Sequence, residues 1–341
     1  MVDSQAVKAT SEEHREHRLY ALKTFIAGGV AGCAGKTVVA PLDRVKILFQ
    51  ANQPQFQKYA GSMTGVVRAG REIVATQGVS GLYRGHSMSL LRIFPYAAIK
   101  FMAYEQIRLI LMPTASHETD IRTALAGSLA GVSSVIVTYP LELIRVRMAY
   151  DTTQGVRNKV LKTLRAIYGE SGYKSTLFRH PIRNFYSGFG FTIMGMMPYA
   201  GVSFYTYESL YQACVKRFPE LTVIKRPQDL ANAGASSNSK KKRKRGPRLN
   251  WWSELLIGGT AGIIGQTISY PFEVTRRWIQ VAGVRNPGSK PKPMQIIGEI
   301  MATKGIRGFY VGLSIGYIKV APMSAVAFYV YERMKYLLKV E

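Results

Sequence analysis

The chain has 341 residues, of which 46 are Lys or Arg and 20 are Asp or Glu, so its net charge is +26. The hydrophobic content of 47% excludes an intrinsically disordered chain, and the two cysteines exclude a disulfide-stabilised scaffold. The excess of positive charge predicts a polyanionic partner, which is a nucleic acid, an anionic lipid or a phosphorylated small molecule.

The first twenty residues carry three glutamates and no apolar stretch. A secretory signal needs an apolar core, and a transit peptide is poor in acidic residues. We therefore expect no cleaved targeting segment here.

Six apolar stretches are long enough to cross a hydrocarbon core of about 30 Å as helices. In chain order they are residues 24–42, 87–104, 123–141, 187–207, 255–272 and 311–331. Three contain no charge, and the others contain only isolated bases. The alternative of six buried helices in a soluble protein is disfavoured, because one soluble core does not need so many such stretches. The sequence predicts an all-α membrane protein with six transmembrane helices.

One pattern occurs three times, at intervals of roughly one hundred residues. It consists of Gly-x-x-x-Gly, a proline 13 residues after the first glycine, an acid two residues after the proline and a base five residues after it. The acids and bases are Asp43 and Lys46, Glu142 and Arg145, and Glu273 and Arg276. Each second span then holds a proline, followed ten residues later by the glutamate of a Tyr-Glu pair.

The repeat predicts the domain organisation. We divide the chain into an N-terminal extension (1–19), three repeats (20–112, 113–214 and 251–341) and an inserted linker (215–250). The linker has eleven bases and two acids and includes the basic run 240–245. That run suggests nuclear localisation or nucleic-acid binding, but a solvated linker near anionic lipid is the interpretation we favour. A six-span protein cannot easily wrap a duplex, so we expect no nucleic-acid partner.

The spacing within the repeat has a physical meaning. Gly-x-x-x-Gly lets helix backbones approach closely in lipid, and we expect the prolines to kink the first spans. Acid and base three residues apart lie on one helix face. Three such helices around a pseudo-threefold axis would bring three acids and three bases together and close one end of a central cavity. The acids of the second spans would close the other end.

Bases within the spans predict an anion-binding site, since each needs a water-filled cavity or a counter-ion. They are Lys36, Arg92, Lys100 and Lys319. Arg92 and Lys319 both stand 13 residues before the glutamate of a Tyr-Glu pair, and the third such position is Gly195. Gly195 leaves a slot without a side chain, Met196 offers a polarizable surface, and Tyr199 adds an aromatic ring.

Basic residues also predict the topology. The loops after odd spans hold six (44–91), nine (142–187) and seven (273–312), whereas residues 105–122 hold two. The positive-inside tendency therefore places the loops after odd spans on the inner side.

The threefold motif resembles the signature of the mitochondrial carrier family over residues 20–341. The resemblance implies a six-helix bundle with short matrix-side helices in the mitochondrial inner membrane, with both termini in the intermembrane space. It also implies alternating access through one central site. It implies a transporter and not an enzyme, with no catalytic residue, cofactor or metal site. We expect a monomer that contacts membrane lipid, including anionic lipid such as cardiolipin.

The resemblance assigns two gates. The implied matrix-gate pairs are Asp43 with Arg145, Glu142 with Arg276, and Glu273 with Lys46, braced by Gln50 and Gln280, while Ala149 departs from the third brace. The implied cytoplasmic-gate residues are Tyr104, Glu105, Arg108, Tyr207, Glu208, Tyr331, Glu332 and Lys335. Tyr211 stands where the third base belongs, which predicts a weaker cytoplasmic gate and a resting bias toward opening on that side.

The resemblance implies that Arg92, Gly195 and Lys319 are substrate contact points and that a glycine followed by an apolar residue at the fourth span marks adenine binding. Lys36, Arg92 and Lys319 would hold phosphates through charge-assisted hydrogen bonds, and Lys100 is a further predicted substrate contact. Residues 92–101 and 195–204 look similar to the branch of carriers for coenzyme A, also called the Graves disease carrier type. The implied substrates are coenzyme A and related adenosine 3',5'-diphosphate compounds. A carrier for another adenine nucleotide, of the ATP-Mg/phosphate or ADP type, is the alternative. The non-transporter alternative is a polybasic protein that binds membranes or nucleic acid.

Overall fold

The structure is a computed structural model that describes residues 2–114, 119–153, 159–170, 181–222, 249–286 and 291–339. The basic run 240–245 and most of the predicted linker lie outside these residues. The packing divides the chain into two compact units. The first contains residues 1–190 and 274–341, and the second contains residues 191–273.

The described residues are helical and contain no β-strand, so the predicted all-α class is confirmed. The helices are α1 (Val2–Gln50), α2 (Met63–Gln77), α3 (His86–Leu111), α4 (Asp120–Tyr150), α5 (Lys159–Tyr168), α6 (Phe189–Arg217), α7 (Pro219–Thr222), α8 (Trp251–Arg285), α9 (Pro293–Lys304), α10 (Leu313–Ile318) and α11 (Val320–Leu337). Short 3-10 helices are Pro54–Tyr59, Val79–Tyr83, Pro181–Tyr186 and Ile306–Tyr310. A long helix, a short helix, a 3-10 turn and a second long stretch thus follow one another three times.

Among the residues that the structure describes, three helical stretches are long and apolar enough to cross a membrane by length and composition. They are Leu19–Gln50, Arg122–Tyr150 and Ile306–Leu337. The other three predicted spans lie in α3, α6 and α8, which have 26, 29 and 35 residues and are also long enough. The bases and tyrosines of α3 and the glycines of α6 and α8 lower the mean hydropathy of these helices, because these residues are less apolar than leucine or valine.

The short helices pack on the long helices through an apolar face. In the first repeat, Ile73 and Ala69 of α2 are buried against Leu48 and Phe49 of α1. In the second, Ile167 of α5 packs on the α4 side chains that follow the signature proline. In these two repeats the short helix therefore braces the end of the long helix that carries the signature acid.

A glycine with a left-handed backbone begins the second long stretch of every repeat. The φ angles are 80° at Gly85, 84° at Gly188 and 82° at Gly312, a region that glycine adopts without strain. A Cβ atom at Gly85 would lie 2.6 Å from the carbonyl oxygen of Arg145. The chain reversal thus needs glycine both for its backbone angle and for its close approach to the signature helix.

The Gly-x-x-x-Gly prediction is wrong in register. Gly28 has nothing within 4 Å of a Cβ atom built on it, and the same holds for Gly127, Gly258 and Gly262. In the first and third repeats the close approach occurs six residues before the signature proline. A Cβ atom at Gly35 would lie 2.8 Å from the carbonyl oxygen of Met323, and one at Gly265 would overlap Ser203. The second repeat has the small, fully buried Ser134 at this position.

The signature prolines, Pro41, Pro140 and Pro271, lie inside continuous helices. The last span differs, because it divides into α10 and α11 at Lys319. Pro322 follows three residues later and has no N–H to bond to the carbonyl of Ile318. The break therefore falls beside one of the predicted substrate contacts.

Candidate functional site

The Asp43 carboxylate lies on α1, two residues after the signature proline, and is buried. Its Oδ2 atom is 2.8 Å from the guanidinium of Arg145, and its Oδ1 atom is 2.7 Å from the ammonium of Lys319. The pairing with Arg145 is the one that the resemblance implied for the matrix gate. The pairing with Lys319 was missed, because the sequence suggested this base as a substrate contact.

The Glu142 carboxylate on α4 forms ion pairs with three arginines. Its Oε1 atom contacts Arg276 and lies 3.3 Å from Arg277, and its Oε2 atom is 2.8 Å from Arg92. The structure thus brings Glu142 and Arg276 together, as expected. The contact with Arg92 was also missed, because Arg92 was expected to face the substrate.

The side chain of Arg92 is held from three directions. Besides the Glu142 carboxylate, Nε donates to Oγ1 of Thr138 at 3.2 Å, and the guanidinium lies 5.3 Å from the centroid of the Tyr96 ring. Charge-assisted hydrogen bonds and a ring face offset part of the cost of placing this base within the span.

Tyr139 is a buried residue whose hydroxyl makes two hydrogen bonds, and the sequence did not indicate its role. Its hydroxyl donates to the carbonyl of Ser187 at 2.8 Å and accepts from Nε2 of Gln280 at 3.1 Å. Oε1 of Gln280 in turn accepts from Arg277 at 2.8 Å. Gln280 therefore braces Arg277 and Tyr139. The available signal was a tyrosine directly before the signature proline, at Tyr139 and again at Tyr270, both fully buried.

Two further buried arginines support the same region. Arg44 donates to the carbonyl of Gly81 at 2.5 Å and to the side chain of Gln77 at 2.9 Å. Arg147 contacts the carboxylate of Glu170 and donates to the carbonyl of Gln280 at 2.9 Å. The repeated motif does not predict these contacts, since Gly81, Gln77 and Glu170 lie outside it and the bond to Gln280 is to its backbone carbonyl.

The other predicted bases differ in exposure. Lys36 is half-buried and lies within electrostatic range of Asp43, Lys319 and Arg145. Lys100 is exposed on α3, two turns after Arg92. Lys46 and Gln50 are buried on α1.

In the second unit, a Cβ atom at Gly195 would lie 3.1 Å from Cβ of Phe272. Glycine at this position therefore lets α6 approach α8 closely. Met196 is half-buried and Tyr199 is 46% exposed. The slot for adenine beside Gly195 stays a prediction. Glu273 also belongs to this unit, so its pairing with Lys46 of the first unit stays a prediction too.

The predicted cytoplasmic-gate residues lie on α3, α6 and α11. Lys335 is 4.0 Å from Glu332 on the same helix and 5.9 Å from the centroid of the Tyr331 ring. Tyr104 is half-buried, whereas Glu105 and Arg108 are exposed.

On α6, Tyr211 replaces the base expected three residues after Glu208, and Gln212 contacts the Glu208 carboxylate instead. Nε2 of Gln212 donates to the Glu208 carboxylate at 2.9 Å. The rings of Tyr207 and Tyr211 stack with centroids 6.5 Å apart. The sequence offered no signal for Gln212, because the pattern concerns only the position of Tyr211.

Three helical repeats, each with its signature acid and base on a membrane-spanning helix, define a membrane carrier. The chain belongs to the mitochondrial carrier family, whose model, described as mitochondrial carrier protein, matches residues 17–114, 116–218 and 247–341. It is accordingly a multi-pass transporter of the mitochondrial inner membrane.

Named relatives cover nearly the whole chain. Mitochondrial carrier protein LEU5 of Saccharomyces cerevisiae is 44% identical over 93% of this chain and 90% of its own length. Solute carrier family 25 member 16 of Homo sapiens is 39% identical over 93% of this chain and 88% of its own length. Mitochondrial carrier protein CoAc1 of Zea mays is 32% identical, with corresponding shares of 93% and 87%.

Proposed function

We propose that the protein carries coenzyme A, or a related adenosine 3',5'-diphosphate compound, across the mitochondrial inner membrane by alternating access through one central site. Both termini face the intermembrane space in this proposal. The observation that carries it is the position of Arg92 and Lys319, two bases at equivalent places in two repeats, each against a signature carboxylate.

The balance of charge supports an anionic substrate. Around the two carboxylates, of Asp43 and Glu142, stand five bases, and these are Arg92, Arg145, Arg276, Arg277 and Lys319. Lys36 adds a sixth within electrostatic range of Asp43. Phosphate groups carry more charge than a carboxylate and offer three acceptor oxygens, so they suit such a cluster.

Three further observations support the nucleotide part of the substrate. The exposed ring of Tyr199 and the flexible side chain of Met196 lie one turn apart on α6 and suit the face of an adenine. The maize relative bears the name CoAc1. The sequence resemblance to carriers for coenzyme A points the same way.

The gates are part of the proposal. The matrix gate consists of the pairs of Asp43 with Arg145, Glu142 with Arg276 and Glu273 with Lys46, and the cytoplasmic gate consists of the residues around Glu105, Glu208 and Glu332. We also take the transporter to be a monomer whose basic matrix loops contact anionic lipid.

The test is reconstitution in liposomes with labelled coenzyme A, adenosine 3',5'-diphosphate, ADP and ATP-Mg. We expect saturable uptake of the first two. Uptake of ATP-Mg or ADP without any response to coenzyme A would replace this substrate by the alternative, another adenine nucleotide, and would leave the fold unaffected.

A deletion separates transport from the polybasic alternative. Removing residues 225–248 takes away the run 240–245, which lies outside the described residues. We expect uptake of coenzyme A to survive. Loss of transport together with loss of binding to anionic vesicles or to duplex DNA would favour a binding function for the linker.

A further inference from the structure

A small cavity lies between α1, the 3-10 helix Val79–Tyr83, the start of α3 and the end of α4. Its volume is about 10 Å³, which is the space of roughly one water-sized particle. The charged and polar side chains of its wall are those of Lys36, Asp43, Arg44, Arg84, His86, Ser89 and Arg145. Four of these residues are lysine or arginine and one is an acid, so the wall carries an excess of positive charge.

The Asp43 carboxylate does not offset this excess. One of its oxygens is 2.8 Å from the guanidinium of Arg145, and the other is 2.7 Å from the ammonium of Lys319. One negative charge therefore already serves two bases, of which Lys319 lies outside the wall of the cavity.

Arg44 is a buried charged residue whose acceptors are neutral. It is 2% exposed, and it donates to the carbonyls of Gly81 and Asp151 and to the side-chain oxygen of Gln77. Its Nε atom has no hydrogen-bond partner in the part of the chain that the structure describes. Buried charges are usually paired with an opposite charge, because the desolvation of an isolated charge is costly.

Arg84 shares an acceptor with Arg44. Its guanidinium donates to the carbonyl of Asp151 at 3.0 Å, whereas the Asp151 carboxylate accepts from the backbone N–H and the hydroxyl of Thr153. Two guanidiniums that donate to one carbonyl oxygen repel each other, and an anion beside them would offset this repulsion.

Ser89 indicates what kind of ligand the cavity takes. It is 8% exposed, it lines the cavity, and its hydroxyl has no hydrogen-bond partner among the described residues. A hydroxyl can donate to an anion. Ser89 also lies in the first turn of α3, which begins at His86, and the N-terminal turn of a helix carries a partial positive charge that favours an anion.

We propose that this cavity binds one monatomic anion of the halide class, namely chloride, and that Arg44, Arg84 and Ser89 hold it. The volume excludes a phosphate group, which has several heavy atoms, so this site differs from the one proposed for the substrate. The anion supplies the counter-charge for Arg44 and joins α1 to α3 and α4. It is a structural ion, whatever the identity of the transported substrate.

The first experiment measures thermal unfolding of the purified wild-type protein in detergent without substrate. Sodium gluconate is exchanged stepwise for sodium chloride at constant ionic strength, so the screening of surface charges stays the same. Gluconate is too large for the cavity. We expect the unfolding temperature to rise by several degrees, roughly with the logarithm of the chloride concentration, as for a ligand that binds only the folded protein. An unfolding temperature that does not depend on chloride overturns the proposal and assigns a water molecule to the cavity.

The second experiment places the anion in this cavity. Arg84→Gln removes one guanidinium charge and Ser89→Ala removes the unpaired hydroxyl, while Arg44 stays in place. The matched control is Lys58→Gln, which changes an exposed base paired with Glu72 outside the cavity. Each variant is titrated with chloride in the same way.

We expect Arg84→Gln to lose the chloride dependence. Ser89→Ala should need at least about tenfold more chloride for the same rise in unfolding temperature, since it lacks one hydrogen bond to a charged ligand. Lys58→Gln should respond as the wild-type protein does. A wild-type response to chloride in both Arg84→Gln and Ser89→Ala overturns the assignment of the anion to this cavity.

Discussion

Arg92 and Glu142 form an ion pair with a nitrogen–oxygen distance of 2.8 Å, although the first belongs to the second span of repeat one and the second to the signature motif of repeat two. Glu142 also contacts Arg276 of repeat three. One carboxylate therefore connects residues from all three repeats. Its loss should affect the protein more than the loss of any surface charge.

The first prediction concerns Glu142→Gln. The change leaves Arg92, Arg276 and Arg277 without their carboxylate, and breaking a buried ion pair by removing one partner costs about 3 kcal/mol or more. We expect a marked fall in the unfolding temperature of the purified protein. The measurement is thermal unfolding in detergent without substrate.

The matched control is Glu72→Gln on α2. Its partner Lys58 is 61% exposed, so solvent already screens that pair and the unfolding temperature should change little. Equal effects of the two substitutions would contradict the central role given to Glu142.

The second prediction concerns the hydroxyl of Tyr139. Tyr139→Phe keeps the ring among its aromatic neighbours, Tyr186 and Phe189, and removes only the oxygen. The amide of Gln280 and the carbonyl of Ser187 then lose a partner inside the protein, at a cost of about 1 to 3 kcal/mol. Thermal unfolding should show this loss, whereas Tyr168→Phe, at a position that is 61% exposed, should show none. A stable Tyr139→Phe would mean that water replaces the hydroxyl.

The six apolar stretches predicted the helical class, and the threefold repeat predicted that the signature acids and bases come together, as Asp43 and Arg145 do. Periodicity sets which elements exist and which positions are equivalent. It did not predict that Arg92 and Lys319 would lie on signature carboxylates. A long basic side chain within a span can meet either a substrate or a carboxylate, and the choice depends on its conformation and on neighbours such as Thr138. The contacts of Arg44 with Gly81 lay outside the repeated pattern altogether.

The third prediction uses two glycines of one helix. Gly35→Ala places a Cβ atom 2.8 Å from the carbonyl oxygen of Met323, so α1 and α11 must move apart. Gly28→Ala meets nothing within 4 Å and gains helix propensity, which is worth about 0.8 to 1 kcal/mol. We expect a lower unfolding temperature and lower yield for Gly35→Ala alone. If Gly28→Ala were the more damaging change, the close approach would lie at the Gly-x-x-x-Gly register after all.

The fourth prediction concerns the cytoplasmic side of α6. Glu208 accepts a hydrogen bond from Gln212 on its own helix, and Tyr211 stands where the other repeats have Arg108 and Lys335. A base at position 211 would supply the third pair of the proposed cytoplasmic gate. Tyr211→Lys should therefore favour closure on that side and slow exchange from it. Tyr211→Phe keeps the ring that stacks on Tyr207 and adds no charge, so it serves as the control.

The decisive measurement for Tyr211→Lys is the fraction of protein that is open on the cytoplasmic side. Met196 lies on α6 at the level proposed for the substrate, and the two native cysteines, Cys33 and Cys214, can be replaced by serine. In that background a cysteine introduced by Met196→Cys reports access from outside, through its rate of labelling by a membrane-impermeant thiol reagent in proteoliposomes. We expect Tyr211→Lys to slow the labelling several-fold and Tyr211→Phe to leave it unchanged. Unchanged labelling and unchanged exchange in Tyr211→Lys would show that the missing base does not bias the gate, and that the bond between Gln212 and Glu208 already compensates for it.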